Sequence, residues 1–172
     1  AAKSFELKST NNEIINLNDV KGKNGTLIMF ICNHCPYVIA VIKDIIEDYK
    51  NLKELGVKTV AICSNDSINY PEDSFDKMIK FHKDHSFNFP YLIDETQDVA
   101  KNYGAVCTPD FFGYNKNMEL QYRGRIRELK NLKPVKIGES DLFKAMKQIS
   151  KTSKGPKDQI PSMGCGIKWL DN

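Results

Sequence analysis

Cys32 and Cys35, three residues apart and enclosing Asn33 and His34, are the side chains whose types and spacing best fit covalent chemistry. A C-x-x-C beside strand and helix patterns reads as a redox pair before it reads as a structural one. Cys32 follows the apolar run Thr26-Leu27-Ile28-Met29-Phe30-Ile31, which has the length of a buried strand, and Pro36 follows Cys35. Proline suits a first helical turn, where no N–H is required. The pair therefore falls where a helix N-terminus presents free N–H groups and the positive end of its dipole, which stabilise a thiolate. The thiolate is the attacking species in thiol–disulfide exchange. A protonated His34 would add positive charge beside it, and C-x-H-C is the order found in strongly oxidising disulfide enzymes. The pattern predicts Cys32 as an exposed, low-pKa nucleophile, Cys35 as its resolving partner and His34 as the tuner of their ionisation.

A lone C-x-x-C can also be half of a zinc site, which needs two further spaced ligands. No second C-x-x-C or H-x-x-x-H occurs, and His82 and His85 lie on a predicted helix without a paired cysteine nearby. Neither a metal nor another bound cofactor is expected. A second signal is Val106-Cys107-Thr108-Pro109-Asp110-Phe111-Phe112, where a proline precedes an apolar strand and removes a ladder donor. A cis Thr108–Pro109 bond opposite the cysteine pair would account for it, and so would a trans strand entry. Cys107 should lie near the pair, as a third thiol or as packing. Cys63, at the end of an apolar run, reads as a small buried hydrophobe. Cys165 sits in a Cys-x-x-x-Trp pattern with Trp169, on a glycine-bracketed tail.

Positioning these residues requires a particular set of elements. Phe5–Leu7 and Ile14–Leu17 flank a turn-rich stretch and predict a hairpin. Thr26–Ile31 and Val57–Cys63 predict buried central strands. Between them Val38, Val41, Ile42, Ile45, Ile46, Tyr49, Leu52 and Leu55 recur at helical spacing up to Gly56. Asp73–His85 predicts a second helix with Phe75, Met78, Ile79 and Phe81 inward. Tyr91–Ile93 is a short strand, and Gln97–Tyr103 a short helix ended by Gly104. Asp110–Tyr114 and Leu120–Arg123 form a second hairpin, and Ser140–Ser150 a final amphipathic helix capped by Ser140. Parallel strands joined by helices and finished by an antiparallel hairpin give a three-layer α/β/α domain with a central mixed sheet and an N-terminal β-hairpin. Residues 151–172 form a tail expected to pack on or near it.

The 172 residues fit one domain and suffice to bury a core without staples. Hydrophobic residues at 41% and charged residues at 27% are ordinary for a globular chain. Lys+Arg 25 against Asp+Glu 22 leaves +3, too little to imply nucleic acid. The lysines from Lys130 to Lys136 read as a solvated loop. No apolar run approaches the ~20 residues of a membrane span, and Ala1-Ala2-Lys3-Ser4-Phe5 lacks an apolar leader core. These features point to the cytoplasm. Five cysteines, an odd count, do not make a disulfide framework.

Four runs carry a resemblance to a known family: Phe30 to Val38, Tyr103 to Phe112, Tyr122 to Ile126, and Pro161 to Cys165. Together they resemble the thioredoxin-family proteins of the alkyl hydroperoxide reductase/thiol-specific antioxidant superfamily, and within it a peroxiredoxin-like branch with a CNHCP motif. The resemblance covers nearly the whole chain. It implies a thioredoxin fold, Cys32 and Cys35 as the redox pair, and Pro109 as a cis-proline facing them, with Thr108 beside it. The chain departs from true peroxiredoxins, whose P-x-x-x-T-x-x-C ends on the peroxide-attacking cysteine. Aligning Cys35 there puts Ile28 at the proline position and Cys32 at the threonine position, and Thr108-Pro109 replaces an arginine before the later strand. Arg123 or Arg125 could still supply positive charge. The expected activity is thiol–disulfide oxidoreduction on a protein or small-molecule disulfide, with a dithiol as electron donor. The alternatives are a thiol peroxidase, with Cys35 attacking peroxide and Cys32 or Cys165 resolving, and a copper-binding protein using Cys32, Cys35 and a distant histidine.

Overall fold

The computed structural model describes residues 1–171. Its elements are β1 (Glu6–Ser9), β2 (Ile14–Asn16), β3 (Gly25–Phe30), α1 (Pro36–Glu54), β4 (Val57–Cys63), α2 (Phe75–Asp84), β5 (Tyr91–Ile93), α3 (Asp98–Tyr103), β6 (Cys107–Thr108), β7 (Asp110–Tyr114), β8 (Leu120–Gly124), β9 (Leu129–Lys130), β10 (Lys133–Pro134), α4 (Asp141–Thr152) and β11 (Cys165–Gly166). Among the described residues the main sheet has seven strands, in the order β2-β1-β5-β4-β3-β7-β8. β3, β4 and β5 run parallel, while β1 and β7 flank them antiparallel, so the sheet is mixed.

The near-continuous apolar runs of β3 and β4 follow from burial on both faces. Along β3, Leu27 and Met29 face a core built with α1, α2 and α4, whereas Ile28 and Phe30 face a second core with Leu17, Val99 and Ala100. Successive side chains of a strand point to opposite faces, so one run feeds both layers. α1 starts at Pro36 and buries Val38, Val41, Ile42, Ile45 and Leu52. It ends before Gly56, whose φ of +79° is a left-handed conformation that favours glycine. This strand-to-helix turn, locked between sheet and core, holds the two cysteines.

α2 begins at Phe75, capped by the Ser74 side chain, two residues later than the sequence suggested. Asp73 is thereby left outside the helix and turned toward the cysteines. Ile79 is 36% exposed rather than inward, because Met78 and Phe81 fill the buried stripe. The basic stretch near Lys130 is largely exposed, as expected, but pairs with itself through β9 and β10. The two-residue strands β6 and β11, which pair with each other, have no counterpart in the sequence pattern.

α4 is capped by Ser140, whose hydroxyl accepts from the Phe143 N–H at 2.9 Å and donates to Asp48 Oδ2 on α1 at 2.5 Å. Burial pushes the Asp48 carboxyl up to about 7, against the pull of that hydrogen bond. An unfolded Asp titrates near ~3.9. Between these values the native chain binds a proton that the unfolded chain does not, so this group's contribution to stability falls as pH rises from about 4 through 7. Asp48→Asn keeps an acceptor for Ser140 and removes the charge. Urea unfolding at pH 8 should show a gain of about 1 kcal/mol, shrinking toward pH 5, a fraction of the ~1.4 kcal/mol per pKa unit because Arg127 and solvent relieve part of the cost. A loss of stability at pH 8 would refute this account.

Candidate active site

Cys35 is the N-cap of α1, with φ −69° and ψ 124°, so the C-x-x-C occupies the turn out of β3. All five cysteines are free thiols. The Cys32 sulfur lies 3.4 Å from Thr108 Oγ1, and the Cys35 thiol donates to the Thr108 carbonyl at 3.2 Å. Thr108–Pro109 is cis. One residue of the cis-proline loop thus touches both sulfurs. Cys32 and Cys35 are each only 1% exposed, which corrects the expectation of an exposed Cys32.

The two intervening residues are held from outside the motif. The Asn33 N–H donates to Asp73 Oδ1 at 2.8 Å, its amide donates to the Glu72 carbonyl at 3.0 Å, and its Oδ1 accepts from the Tyr91 hydroxyl at 2.7 Å. Asp73, a carboxylate 1% exposed, also accepts from Asn65 Nδ2 at 2.8 Å. His34 Nδ1 approaches Asp73 Oδ2 to 2.7 Å but is out of line for a directed hydrogen bond, and its ring stacks on Tyr70. Donor atoms of Cys32, His34 and Asp73 lie within 4.8 Å of one another, the set among the described residues that could hold a metal. One thiolate, one imidazole and one carboxylate suit a borderline ion such as zinc better than Cu(I), and the copper expectation relied on Cys35 and a distant histidine. Tyr91 and Asp73 escaped the sequence reading: one looked like strand filling, the other like the first turn of a helix.

Electrostatics push the two sulfurs of this closed arrangement in opposite directions. The Cys32 pKa is driven up by its hydrogen bond to Cys35, by burial, and by the Asp73 charge. Hydrogen bonds from the Cys32 thiol, the Cys165 thiol and N–H and the Val38 N–H pull the Cys35 thiol down to about 4, against burial. The Thr108 carbonyl at 3.2 Å opposes that, since a carbonyl oxygen accepts only from an S–H. The S–H donated to Thr108 makes the closed form the dithiol, with both sulfurs buried. His34 faces Asp73 rather than either sulfur's hydrogen-bond partner, and as a cation it would offset the charge that opposes a Cys32 thiolate.

The remaining candidates divide cleanly. The Cys107 thiol points to the Pro109 carbonyl at 3.6 Å and the Ser162 carbonyl at 3.9 Å, and burial pushes it up to about 11. Cys63 is buried, and burial raises it to about 12. Arg123 is bound to Asp110 at 3.1 Å and to the Gly104 carbonyl at 2.7 Å, and Arg125 to Asp141 at 2.8 Å. At Cys107 the Arg123 charge opposes burial and the Asp110 carboxylate.

The tail completes the site. Cys165 of β11 stands opposite Thr108, and its side chain packs on the core that contains Cys32 and Cys35. The Lys168 main chain is clipped by Asn65, Asp66 and Gln97. A groove beside Pro109 is lined by Tyr37, Arg125, Ile126, Pro161 and Met163 among others. Gly164 lies so close to the Thr108 carbonyl that an added Cβ would sit 2.1 Å from its oxygen. Gly164→Ala should therefore lift the tail and raise the rate of Cys32 alkylation by iodoacetamide roughly severalfold, with little change in unfolding midpoint. An unchanged rate would mean that the tail does not guard the thiols. Among the described residues, no helix is long and apolar enough to cross a membrane.

Comparison with known proteins places this architecture. The chain is 30% identical over 114 residues to the thiol-disulfide oxidoreductase ResA of Bacillus subtilis (strain 168), a match covering 66% of this chain and 59% of that protein. The match thus spans less than two thirds of that curated relative's length. The crystal structure of an uncharacterized conserved protein from Geobacillus kaustophilus superposes with a TM-score of 0.95 at 38% identity, over 99% of this chain and 91% of that one. A hypothetical protein from Sinorhizobium meliloti 1021 gives a TM-score of 0.91 at 33% identity, over 99% and 93%. The fold is thioredoxin-like. Residues 1–128, which contain the cysteine pair and the cis-proline loop, match the AhpC/TSA family, and the chain belongs to that family.

Proposed function

We propose that the protein is a thiol–disulfide oxidoreductase whose redox pair is Cys32 and Cys35. The observation that carries this reading is the convergence of both sulfurs, at the N-terminus of α1, on Thr108 of the cis-proline loop. The similarity to ResA, a protein named for this activity, supports it. In the reducing direction Cys32, deprotonated once solvated, attacks a substrate disulfide. One substrate sulfur leaves as a thiolate and takes up a proton. Cys35 then gives its proton to the second substrate sulfur and attacks Cys32, closing the Cys32–Cys35 disulfide. Two electrons have passed to the substrate, and a dithiol donor restores them. The groove beside Pro109 would take the substrate chain, which can be a protein or a small disulfide. No cofactor is needed. The chemistry is tested by assaying insulin-disulfide reduction with dithiothreitol as donor beside hydrogen peroxide reduction. Turnover of insulin above the dithiothreitol background is expected, and peroxide turnover alone would replace this reading with the peroxidase.

A further inference from the structure

Cys32–Cys35 exchange uses two of the five cysteines, and a separate piece of chain brings a third to the same place. β11 pairs antiparallel with β6, with Cys165 opposite Thr108 and Gly166 opposite Cys107. Opposed residues of such a pair have Cα atoms about 5 Å apart. The Thr108 carbonyl in turn receives the Cys35 thiol at 3.2 Å. Cys35 and Cys165 therefore meet across one residue, and Cys165 packs on the cluster that holds both motif cysteines. The placement is built in. Gly164 permits the close approach to the Thr108 carbonyl, and the Ile167 N–H donates to the Val106 carbonyl at 3.0 Å while its side chain is buried in the opposite core.

We propose that Cys165 is a third redox thiol of this site, which takes the disulfide over from Cys32–Cys35 by attacking Cys35; this rests on Cys32–Cys35 being the redox pair. The Cys165 thiolate forms a bond to the Cys35 sulfur, the Cys32–Cys35 bond breaks, and Cys32 leaves as a thiolate that takes up the proton Cys165 gave away. No net oxidation occurs; the disulfide has moved to Cys35–Cys165 and Cys32 is free for another encounter. The dithiol donor then reduces the tail disulfide. The electrostatics favour this order. Burial, with the hydrogen bond to Cys35, holds Cys165 up at about 11, while Lys168 and the Tyr37 N–H at the start of α1 pull it down. Once Cys35 is oxidised its thiol no longer opposes a Cys165 thiolate, and Lys168 and the Tyr37 N–H remain as the favourable partners.

Disulfide mapping of the full chain tests this. The reduced protein is oxidised stepwise with diamide, quenched in acid, alkylated and digested, and the monomer is analysed by non-reducing mass spectrometry. Wild type should yield both Cys32–Cys35 and Cys35–Cys165 links, Cys165→Ser only the first, and Cys32→Ser only the second. Cys32–Cys35 alone in wild type, with Cys165 alkylated there and in Cys32→Ser, overturns the third thiol and leaves the redox pair standing. A Cys165 link found only between chains overturns it equally. Absence of any Cys32–Cys35 link at every oxidation level overturns the redox pair itself.

Discussion

Cys32→Ser should lower disulfide reductase turnover by roughly a thousandfold or more, because the group that forms the first covalent bond is gone. Cys35→Ser should also stop turnover, but by a different route. Its Cys32 still attacks, and the mixed disulfide has nothing beside it to resolve it. Cys165 does not substitute, since its thiol and N–H bear on the sulfur of residue 35, which the variant lacks. Incubating Cys35→Ser with a disulfide-bonded reporter protein should accumulate a one-to-one adduct, released by dithiothreitol and mapped to Cys32. Serine is close in size to cysteine, and both positions are buried in a preformed turn, so both variants should fold with near-parental unfolding midpoints.

A peroxidase working through Cys35 predicts the opposite pattern. Cys32→Ser would then put a hydroxyl three residues before the attacking sulfur and keep the first turnover with peroxide, while Cys35→Ser would lose it. Peroxide cleavage needs donors aimed at the developing oxygen charge. Here both nearby arginines are engaged elsewhere, Arg123 by Asp110 and Arg125 by Asp141, and the Cys35 sulfur faces a carbonyl oxygen. Exchange is the expected outcome for that reason. Rapid single-turnover peroxide reduction by Cys32→Ser, with no disulfide reductase activity in the parent, would reverse the assignment.

What the sequence disclosed and what it withheld separate along the range of the interactions. The buried strands, the helix after Pro36 and the Ser140 cap depend on residues within a few positions of one another, and their periodicities survive in the chain as written. The cysteine pair was legible as a local pattern, whereas the segment around Pro109 left cis and trans open and the family resemblance supplied the cis bond that the structure has. Asp73 was not legible, since its role depends on Asn33 and Asn65 reaching it from two other segments. The burial of Cys32 has a related cause: its sulfur meets Thr108, 76 residues away in the chain, a contact that no local periodicity signals. His34 was read as acting directly on a thiolate, but its nearest charged neighbour is a buried carboxylate that no spacing rule would have linked to it.

That carboxylate gives the second large effect. Asp73→Asn should increase the alkylation rate of Cys32 near neutral pH by about tenfold, the equivalent of one pKa unit. Asp73 is one of the groups that raise the Cys32 pKa, alongside the Cys35 hydrogen bond and burial. Its negative charge opposes a second one forming on the sulfur, so removing the charge lowers the pKa and leaves more thiolate at a given pH. Asparagine retains one oxygen for the Asn33 N–H but offers an amine where Asn65 and His34 meet the second oxygen. Asn65 would have to turn its own oxygen inward, and that oxygen now accepts from the Lys168 N–H at 2.9 Å. The tail clip therefore weakens in the same variant, and loss of burial adds to loss of charge. A stabilised thiolate also stabilises the reduced pair, so the Cys32–Cys35 disulfide should become more readily reduced, by about 30 mV for each tenfold change in its equilibrium with glutathione. Thiolate ultraviolet absorbance across a pH series, read beside the glutathione equilibrium, separates the contributions: a tail effect alone speeds alkylation without moving the potential. If the variant folds normally and neither the titration midpoint nor the potential moves, Asp73 is a scaffold for Asn33 and has no part in setting the reactivity of Cys32.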